Sequence, residues 1–582
     1  MPKIDVNEKV FFELSGKRWT SKEELEEALI CAKAELDGGF EGGSASADER
    51  TLKIELNDTN RPDLWGTAGC ARQLRLYNGG KAPAYPFFST PTEMKSTGHK
   101  VKVEKTVHHV RPFLTGFVAR GKKITDPILI DMIQTQEKLA GNFGRRRKTI
   151  SMGIYRTSII KWPIIYKGVD PDSVSFVPLQ WDVPLTLTEI LKQHPKGKEY
   201  AFIQQHEKIH PLLTDSTGAV LSYPPIINSA DLGAVQVGDN EIFVELTGTD
   251  QRAVNLAGSI MACDLADSGF TIEPVEVEYE YDTPFGRKCV TPCYFQEKVF
   301  CSLNRVERFL GEKLSADECV AALTKMGVRS EKAIDSERGS SAKLEGIWAW
   351  PPEYRNDFLH AADVAEDVMI GRGLNSFKPE HPHDFTVGRL SEVTLFSRRL
   401  KVLMTGLGYQ EMIYNYLGSR KDFVEKMRKD GKGIIRISNP MTENYEYVRD
   451  SILASLMASE SVSGHSVYPH RLFEIGKVAY WDDNDNYSGA ATRQYLGFLH
   501  ADRDASFNTA AAQIQTLFYY ISREYEVQET SDPRFIPGRA AALFDKKGQR
   551  IGVFGEIHPE VLENWGVTMP CTAGEFDIEA LL

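Results

Sequence analysis

The tightest constraint on the fold comes from the last third of the chain. From about residue 385 onward it carries the apolar words MIYNYLG, GIIRISNP, RLFEIGKVAYW, RQYLGFLHA, AALFDKKGQRIGVFGEIHP and GEFDI. Each reads as a strand, and together they predict one antiparallel sheet. Ahead of them Leu395, Phe396, Leu400, Leu403 and Leu407 predict a long helix ending at Gly408. Residues 385 to 582 therefore read as a single sheet-and-helix domain.

A chain of 582 residues has room for more than this. At about 100–200 residues per domain, three to five domains are expected. Hydrophobic content of 42 % and charged content of 26 % are ordinary for a soluble globular protein. No run of about 18 apolar residues suggests a membrane span. The opening MPKIDVNEKVFFEL alternates charged and apolar residues, unlike a signal peptide. The eight cysteines are scattered, and Cys289 with Cys293 has no second pair to complete a zinc site. Reduced thiols in the cytoplasm are the expectation. A net charge of −12 argues against an RNA-coating module. It leaves room for RNA contact through local patches or a partner subunit.

Residues 1 to 95 predict a small α+β unit. KIDVN and LKIELN are its strands. Ser21 and Glu24 form a capping box ahead of a stripe of Leu25, Leu29, Ala32 and Leu36, closed by Gly38-Gly39. Asn57-Asp58-Thr59-Asn60-Arg61-Pro62-Asp63-Leu64 reads as a helix start, with Asn60 as cap, Pro62 in the first turn and Asp63 on the dipole. Residues 96 to 275 predict a mixed α/β domain. VKVEKTVHHVRPFLTGFVARG has strand alternation, and Asp131 to Leu139 looks helical. The run Arg145, Arg146, Arg147, Lys148 fits a solvated loop or a contact with phosphates, and spacing leaves both open. Residues 276 to 300 read as a linker or crossover strands. Residues 301 to 380 read as a helical unit: helix, Gly311 turn, Ser315 cap, helix, Gly327 stop.

Two stretches carry side chains with chemical potential. In the first, Pro224-Pro225 fixes a turn beside Ser222, Asn228 and Ser229, while Glu245, Thr247 and Thr249 alternate along a strand and share a face. No convincing Ser-His-Asp set accompanies them. Taken alone they read as turn chemistry and strand-end polar residues. In the second, Asp363, Glu366 and Asp367 stand at i, i+3 and i+4 within Pro351–Gly371, with Asp357 near the helix start. Four carboxylates without His or Cys favour Mg²⁺ over zinc. From spacing alone, an acidic solvated helix face is the stronger reading.

Several stretches resemble one family. YRNDFLHAADVAEDVMIGRG, NDTNRPDLW, GRRRKTISMGIY and SYPPIINS are similar to words of the phenylalanyl-tRNA synthetase β subunit. So are SNPMTENYEYVRDSILASLM, with Asn439, Pro440, Arg449 and Ser451, then Phe473-Glu474-Ile475-Gly476 and Gly555 to Pro559. The resemblance covers almost the whole chain and is to the archaeal/eukaryotic-cytosolic type. The bacterial type adds an N-terminal tRNA-binding OB domain and a C-terminal anticodon-binding domain, and neither is expected here.

The resemblance implies an α+β multidomain fold. Its parts are an N-terminal α+β unit, a mixed α/β editing domain, a helix-turn-helix-like domain, and a class II-like antiparallel sheet with helices. It implies an editing pocket of Leu213, Ser222, Asn228, Glu245 and Thr247 that clears tyrosine from tRNA(Phe). Related proteins commonly carry Asp where Glu245 stands, and the extra methylene moves the carboxylate about 1.5 Å. It also implies Mg²⁺ held by Asp357, Asp363, Glu366 and Asp367 at an interface with the α subunit, and an α₂β₂ tetramer that joins phenylalanine to tRNA(Phe) with ATP. No GxGxGxER motif is present, and Arg449 and Arg539 are lone arginines, so ATP is expected on the α subunit. Two alternatives stand beside this reading: a freestanding aminoacyl-tRNA deacylase, and a structural subunit with editing lost.

Overall fold

The computed structural model describes residues 2–40, 50–57, 60–90, 98–233, 235–337, 341–485 and 487–582. Asp58 and Thr59 of the proposed helix start lie outside the described residues. The chain divides into two compact units, Met1–Glu380 and His381–Leu582.

The first unit begins with a three-stranded sheet in the order Lys3–Asn7, Thr51–Leu56, Ala34–Gly38. Alternate residues Ile4, Val6, Leu52 and Ile54 are buried, as a sheet with one covered face requires. Asn7 and Ser21 cap the helices Glu8–Ser15 and Lys22–Leu29 through their side-chain oxygens. The expected stripe to Leu36 is cut short. Lys33 takes a left-handed backbone (φ +51°), so Leu36 belongs to the strand that follows.

Residues 299–372 combine the helices Leu303–Leu310, Ala316–Lys325 and Ala361–Arg372 with a sheet ordered Val299–Ser302, Leu344–Trp350, Arg329–Asp335. The helical reading missed the last two strands. This part shares one core with the N-terminal sheet and the helix Thr67–Tyr77: Leu29, Cys70 and Leu74 join Leu323, Val364 and Val368.

Between them lies a ten-stranded sheet. Its order is Ile227–Asn228, Val220–Tyr223, His210–Thr214, Ile164–Val169, Lys100–Val103, Thr271–Tyr279, Phe113–Arg120, Glu241–Gly248, Ile150–Arg156, with Lys288–Thr291 paired to Thr271–Tyr279. The stretch expected as a linker therefore supplies strands to this sheet. Its two far ends come together, since Tyr155 on the last strand bonds Ser222 on the second. The sheet is curled, and the seam between its ends is where a cavity forms.

The second unit carries a seven-stranded sheet, Gln410–Glu411, His470–Trp481, Ala490–Ala501, Cys571–Asp577, Arg550–Ile557, Phe535–Phe544, Glu526–Glu529. One face packs Phe473, Leu496, Phe554 and Phe576 under the helices Glu392–Gly406 and Phe507–Ile521. The other packs under Leu453–Val462, whose Ile452 neighbour fills the space over Gly497. GIIRISNP forms no named strand, only a bridge from Arg436 to Tyr447. Only Ile434 of that word is buried, so it has no apolar face to hold in a sheet. All eight cysteines are buried and unbridged. Among the described residues no helix is long and apolar enough to cross a membrane.

Candidate functional site

The seam of the curled sheet encloses a cavity of about 380 Å³. Apolar walls come from Met132 and Ile133 of the helix Asp126–Lys138, from Met152 and Ile154, and from Val235. The turn Ser222–Asn228 forms the opposite wall. Such a lining with a few aimed polar groups is the usual make-up of a small-molecule site.

The aimed group is Glu245. It sits mid-strand in Glu241–Gly248, opposite Gly153 on one side and Gly116 on the other. Its side chain is 2 % exposed. Oε1 accepts a hydrogen bond from Tyr155 Oη at 2.9 Å, and Oη lies 2.8 Å from Ser222 Oγ. Oε2 is buried and has no hydrogen-bond partner. An orphaned carboxylate oxygen is costly and calls for an explanation. Burial pushes the Glu245 carboxyl up to about 7, although the Tyr155 hydroxyl and the Arg111 charge pull the other way. Gly153 makes the arrangement possible: a Cβ there would lie 2.1 Å from Tyr155 Oη and 2.7 Å from Glu245 Oε1.

Of the residues read from the sequence, Ser222, Asn228 and Glu245 line the cavity. Leu213 and Thr247 stand behind it. Leu213 is packed in an apolar cluster with Tyr155 and Phe243. Thr247 Oγ1 accepts from Arg111 Nε at 2.9 Å and contacts Ser151 Oγ at 3.0 Å. Arg111 is buried and also donates to the carbonyls of Lys148 and Thr247. Burial draws its guanidinium down to about 10. No histidine or cysteine is among the lining residues, which do include Ser151, Ser222 and Lys196.

The basic run splits in two. Arg145, Arg146 and Lys148 are exposed. Arg147 turns inward, donates to the carbonyls of Pro225 and Ile226 at 3.4 and 3.1 Å, and stacks on Tyr200. It clamps the turn that walls the cavity. Arg145, Arg146 and Arg147 all have positive φ (+51°, +56°, +63°), a costly run for non-glycine residues. The turn is held by bonds from Arg146 and Arg147 N–H to the carbonyls of Gly141 and Ala140. Sequence reasoning placed Arg147 only among possible phosphate contacts, and missed Tyr155, Arg111 and Gly153. Charge runs and isolated aromatic residues carry no sign of which neighbour they meet.

The acidic helix is organised around an organic cation. Arg355 donates to Asp357 at 3.0 and 2.6 Å and to Asp367 at 2.5 and 3.1 Å, fully buried. Burial raises the Asp357 carboxyl, but Arg355 and Arg61 outweigh it and hold it at about 2. Asp363 accepts the backbone N–H groups of Leu359 and His360, in the helix cap. Glu366 pairs with Lys33 at 2.7 Å. Among the described residues no three His, Cys, Asp or Glu side chains gather to hold a metal ion. Mg²⁺ demands about six oxygens in near-ideal octahedral array. The four carboxylates, as this chain arranges them, do not fit it. The spacing brought acids to one helix end, but it could not show that a neighbouring arginine already joins two of them. The same centre draws in Arg61, which forks onto Asp63 at 2.8 Å and feels the charges of Arg355 and Asp357. The words NDTNRPDLW and YRND thus meet in one buried network.

In the second unit the lone arginines are occupied. Arg449 forks onto Glu474 at 3.0 and 2.7 Å and also bonds Lys477 O and Ser455 Oγ. Arg539 pairs with Glu556. A larger, open cleft of about 690 Å³ borders Arg534 and Glu575, which pair with each other, with Asp532 and with Ser451.

Residues 299–374 match the tRNA synthetase B5 domain family, and residues 379–578 match the phenylalanyl tRNA synthetase beta chain CLM domain family. A phenylalanine–tRNA ligase beta subunit from Treponema pallidum is 47 % identical over 616 residues, covering all of both chains. One from Borreliella afzelii is 45 % identical over 585 residues, again covering all of both. The chain belongs to the phenylalanine–tRNA ligase beta-subunit family. These relatives are bacterial, so the expected archaeal/eukaryotic-cytosolic assignment does not hold for them. A solved N-terminal fragment of the phenylalanyl-tRNA synthetase beta subunit from Pyrococcus horikoshii is nevertheless similar. It is 34 % identical, with a TM-score of 0.56, and the match covers 64 % of this chain and all of the fragment.

Proposed function

We propose that this beta subunit works with an α subunit in an α₂β₂ complex that uses ATP to join phenylalanine to tRNA(Phe), and that its own task is to hydrolyse Tyr-tRNA(Phe). The observation that carries the second part is the unpartnered Oε2 of Glu245, a residue that lines an apolar cavity. A tyrosine ring fits the Met132, Ile133, Met152 and Ile154 walls, and its hydroxyl supplies the missing donor. Phenylalanine would leave that oxygen orphaned. A pocket that hydrogen-bonds a hydroxyl rejects the analogue lacking it far more strongly than an apolar pocket rejects an added hydroxyl. A second site therefore corrects what a phenylalanine pocket admits. Water held near the ester carries out hydrolysis by positioning. Arg145, Arg146 and Lys148, exposed on the turn that Arg147 anchors, are offered as contacts for the tRNA phosphates.

The second unit supports the division of labour. Arg449 and Arg539 are paired internally, which favours leaving adenylate chemistry to the α subunit. Phe385, Val387, Ile413 and Met441 are more than four-fifths exposed there, which favours a partner surface. Unbridged cysteines favour a cytoplasmic setting. The match to an archaeal N-terminal fragment favours the archaeal/eukaryotic-cytosolic type of beta subunit. Hydrolysis of Tyr-tRNA(Phe) by the assembled complex, lost in Glu245→Ala, is the expected result. A purified chain that clears it without the α subunit would indicate a freestanding deacylase. A complex that never clears it would indicate a structural subunit.

A further inference from the structure

We infer that Tyr155 is the positioning residue for tyrosine discrimination: its hydroxyl, held between Ser222 and Glu245, occupies Oε1 and leaves Oε2 as the one unpartnered oxygen of a residue that lines the cavity. This rests on the reading of the cavity as the Tyr-tRNA(Phe) hydrolysis site.

Proton counting sets the direction of the chain. A phenol has one proton and accepts through its oxygen. An ionised Glu245 can only accept, so Tyr155 donates its one proton to Oε1, and the Ser222 hydroxyl then donates to Tyr155 Oη. Ser222, Tyr155 and Glu245 then form a relay polarised toward the carboxylate, in which each bond strengthens the next. The relay spans the seam, since Ser222 and Tyr155 come from opposite ends of the sheet path. Tyr155 itself is fully buried and stacks on Phe243, with ring centroids 5.9 Å apart. Its hydroxyl is thus fixed before any ligand arrives. A carboxylate with both oxygens free could turn or take a hydroxyl on either one. With Oε1 tied, a single acceptor remains.

The charged and titratable groups around Glu245 are few. Tyr155 touches it, and Arg111, just ahead of the strand Phe113–Arg120, and Tyr166, on the strand Ile164–Val169, act on it through charge. Arg147, Lys196 and Glu137 stand on the cavity lining. Glu245 accepts a substrate hydroxyl best as carboxylate, so clearance should rise through about pH 7. The Tyr155 bond favours that ionised form, and its loss moves the midpoint to higher pH.

The test uses the assembled α–β complex and follows hydrolysis of Tyr-tRNA(Phe) and Phe-tRNA(Phe) across pH, for wild type, Tyr155→Phe and Glu245→Gln. For Tyr155→Phe we expect the tyrosine-over-phenylalanine ratio of kcat/KM to fall about tenfold, the effect of losing one hydrogen bond to a charged group. The midpoint should move upward. For Glu245→Gln the midpoint near pH 7 should disappear. A folded Tyr155→Phe complex with the wild-type ratio and midpoint overturns the inference alone. If Tyr155→Phe fails to fold, Ser222→Ala breaks the far end of the relay. It should move ratio and midpoint the same way by less, and a folded Ser222→Ala complex with both unmoved overturns the inference. A wild-type complex that leaves Tyr-tRNA(Phe) intact overturns the cavity reading and this inference together.

Discussion

Glu245 and Glu474 hold similar posts. Each is a buried glutamate on an interior strand of a large sheet, and each is accommodated by a glycine nearby: a Cβ on Gly476 would lie 2.1 Å from Arg449 Nη2, as one on Gly153 would strike Tyr155. Their surroundings are opposite. Both oxygens of Glu474 are taken by Arg449, whose remaining donors reach Lys477 O and Ser455 Oγ. Glu245, which lines a cavity, has one oxygen taken by a neutral hydroxyl and one left without a partner. Paired charge fills space and fixes a fold. An unpaired acceptor facing a cavity keeps a place for a ligand, at a cost in stability. The wider cleft at Arg534 makes the same point, because size without an unmet bond does not define a site.

The first way to break this comparison is at the paired site. Arg449→Met should lower unfolding free energy by about 3–5 kcal/mol, because it strands Glu474 as a buried unpaired charge. Denaturant midpoints measure it, with an unchanged m-value indicating that the native state is otherwise intact. A loss below about 1 kcal/mol would mean that the pair is solvated and the contrast with Glu245 is false.

The second acts at the unpaired site and depends on pH. A carboxyl raised on folding binds its proton more tightly in the folded chain, so its contribution is full below the unfolded value near 4.5. It is lost as pH rises to about 7. At about 1.4 kcal/mol per pH unit, the interval is worth about 3 kcal/mol. Wild type should therefore lose about that much more stability than Glu245→Gln between pH 5 and pH 8. Parallel pH profiles for the two proteins would show that Glu245 does not ionise in a desolvated site.

How far such contrasts can be read in advance depends on sequence distance. The strands RLFEIGKVAYW, RQYLGFLHA and GEFDI are legible because alternation is local, and the Ser21 cap because its partner is three residues away. Ser222 and Glu245 were named from a family resemblance, and the residues that give them meaning were not. Tyr155 lies 67 and 90 positions from them, on a buried strand whose apolar neighbours give no sign of what its hydroxyl meets. One of the two strands missed in residues 299–372 has a similar cause: Arg329–Asp335 is largely polar and exposed, with no buried alternation to announce it. Arg355 was equally hidden: of the four acids read as Mg²⁺ ligands it joins Asp357, two residues away, to Asp367, a turn and more along the helix.

The smallest expected effect concerns that helix and extends the comparison to a third set of carboxylates. If paired acids are structural, the isolated chain should be indifferent to magnesium. A site with a dissociation constant of about 0.1 mM would add about 1.4 kcal/mol of stability at 1 mM Mg²⁺. We expect no change in Tm on adding Mg²⁺ or on chelating it. Asp357 and Asp367 are committed to Arg355, Asp363 to two backbone N–H groups and Glu366 to Lys33. A metal would have to displace a buried guanidinium that two carboxylates already neutralise. Loss of stability on chelation, abolished in Asp363→Asn, would show that the acids regroup around an ion and that Arg355 yields its place.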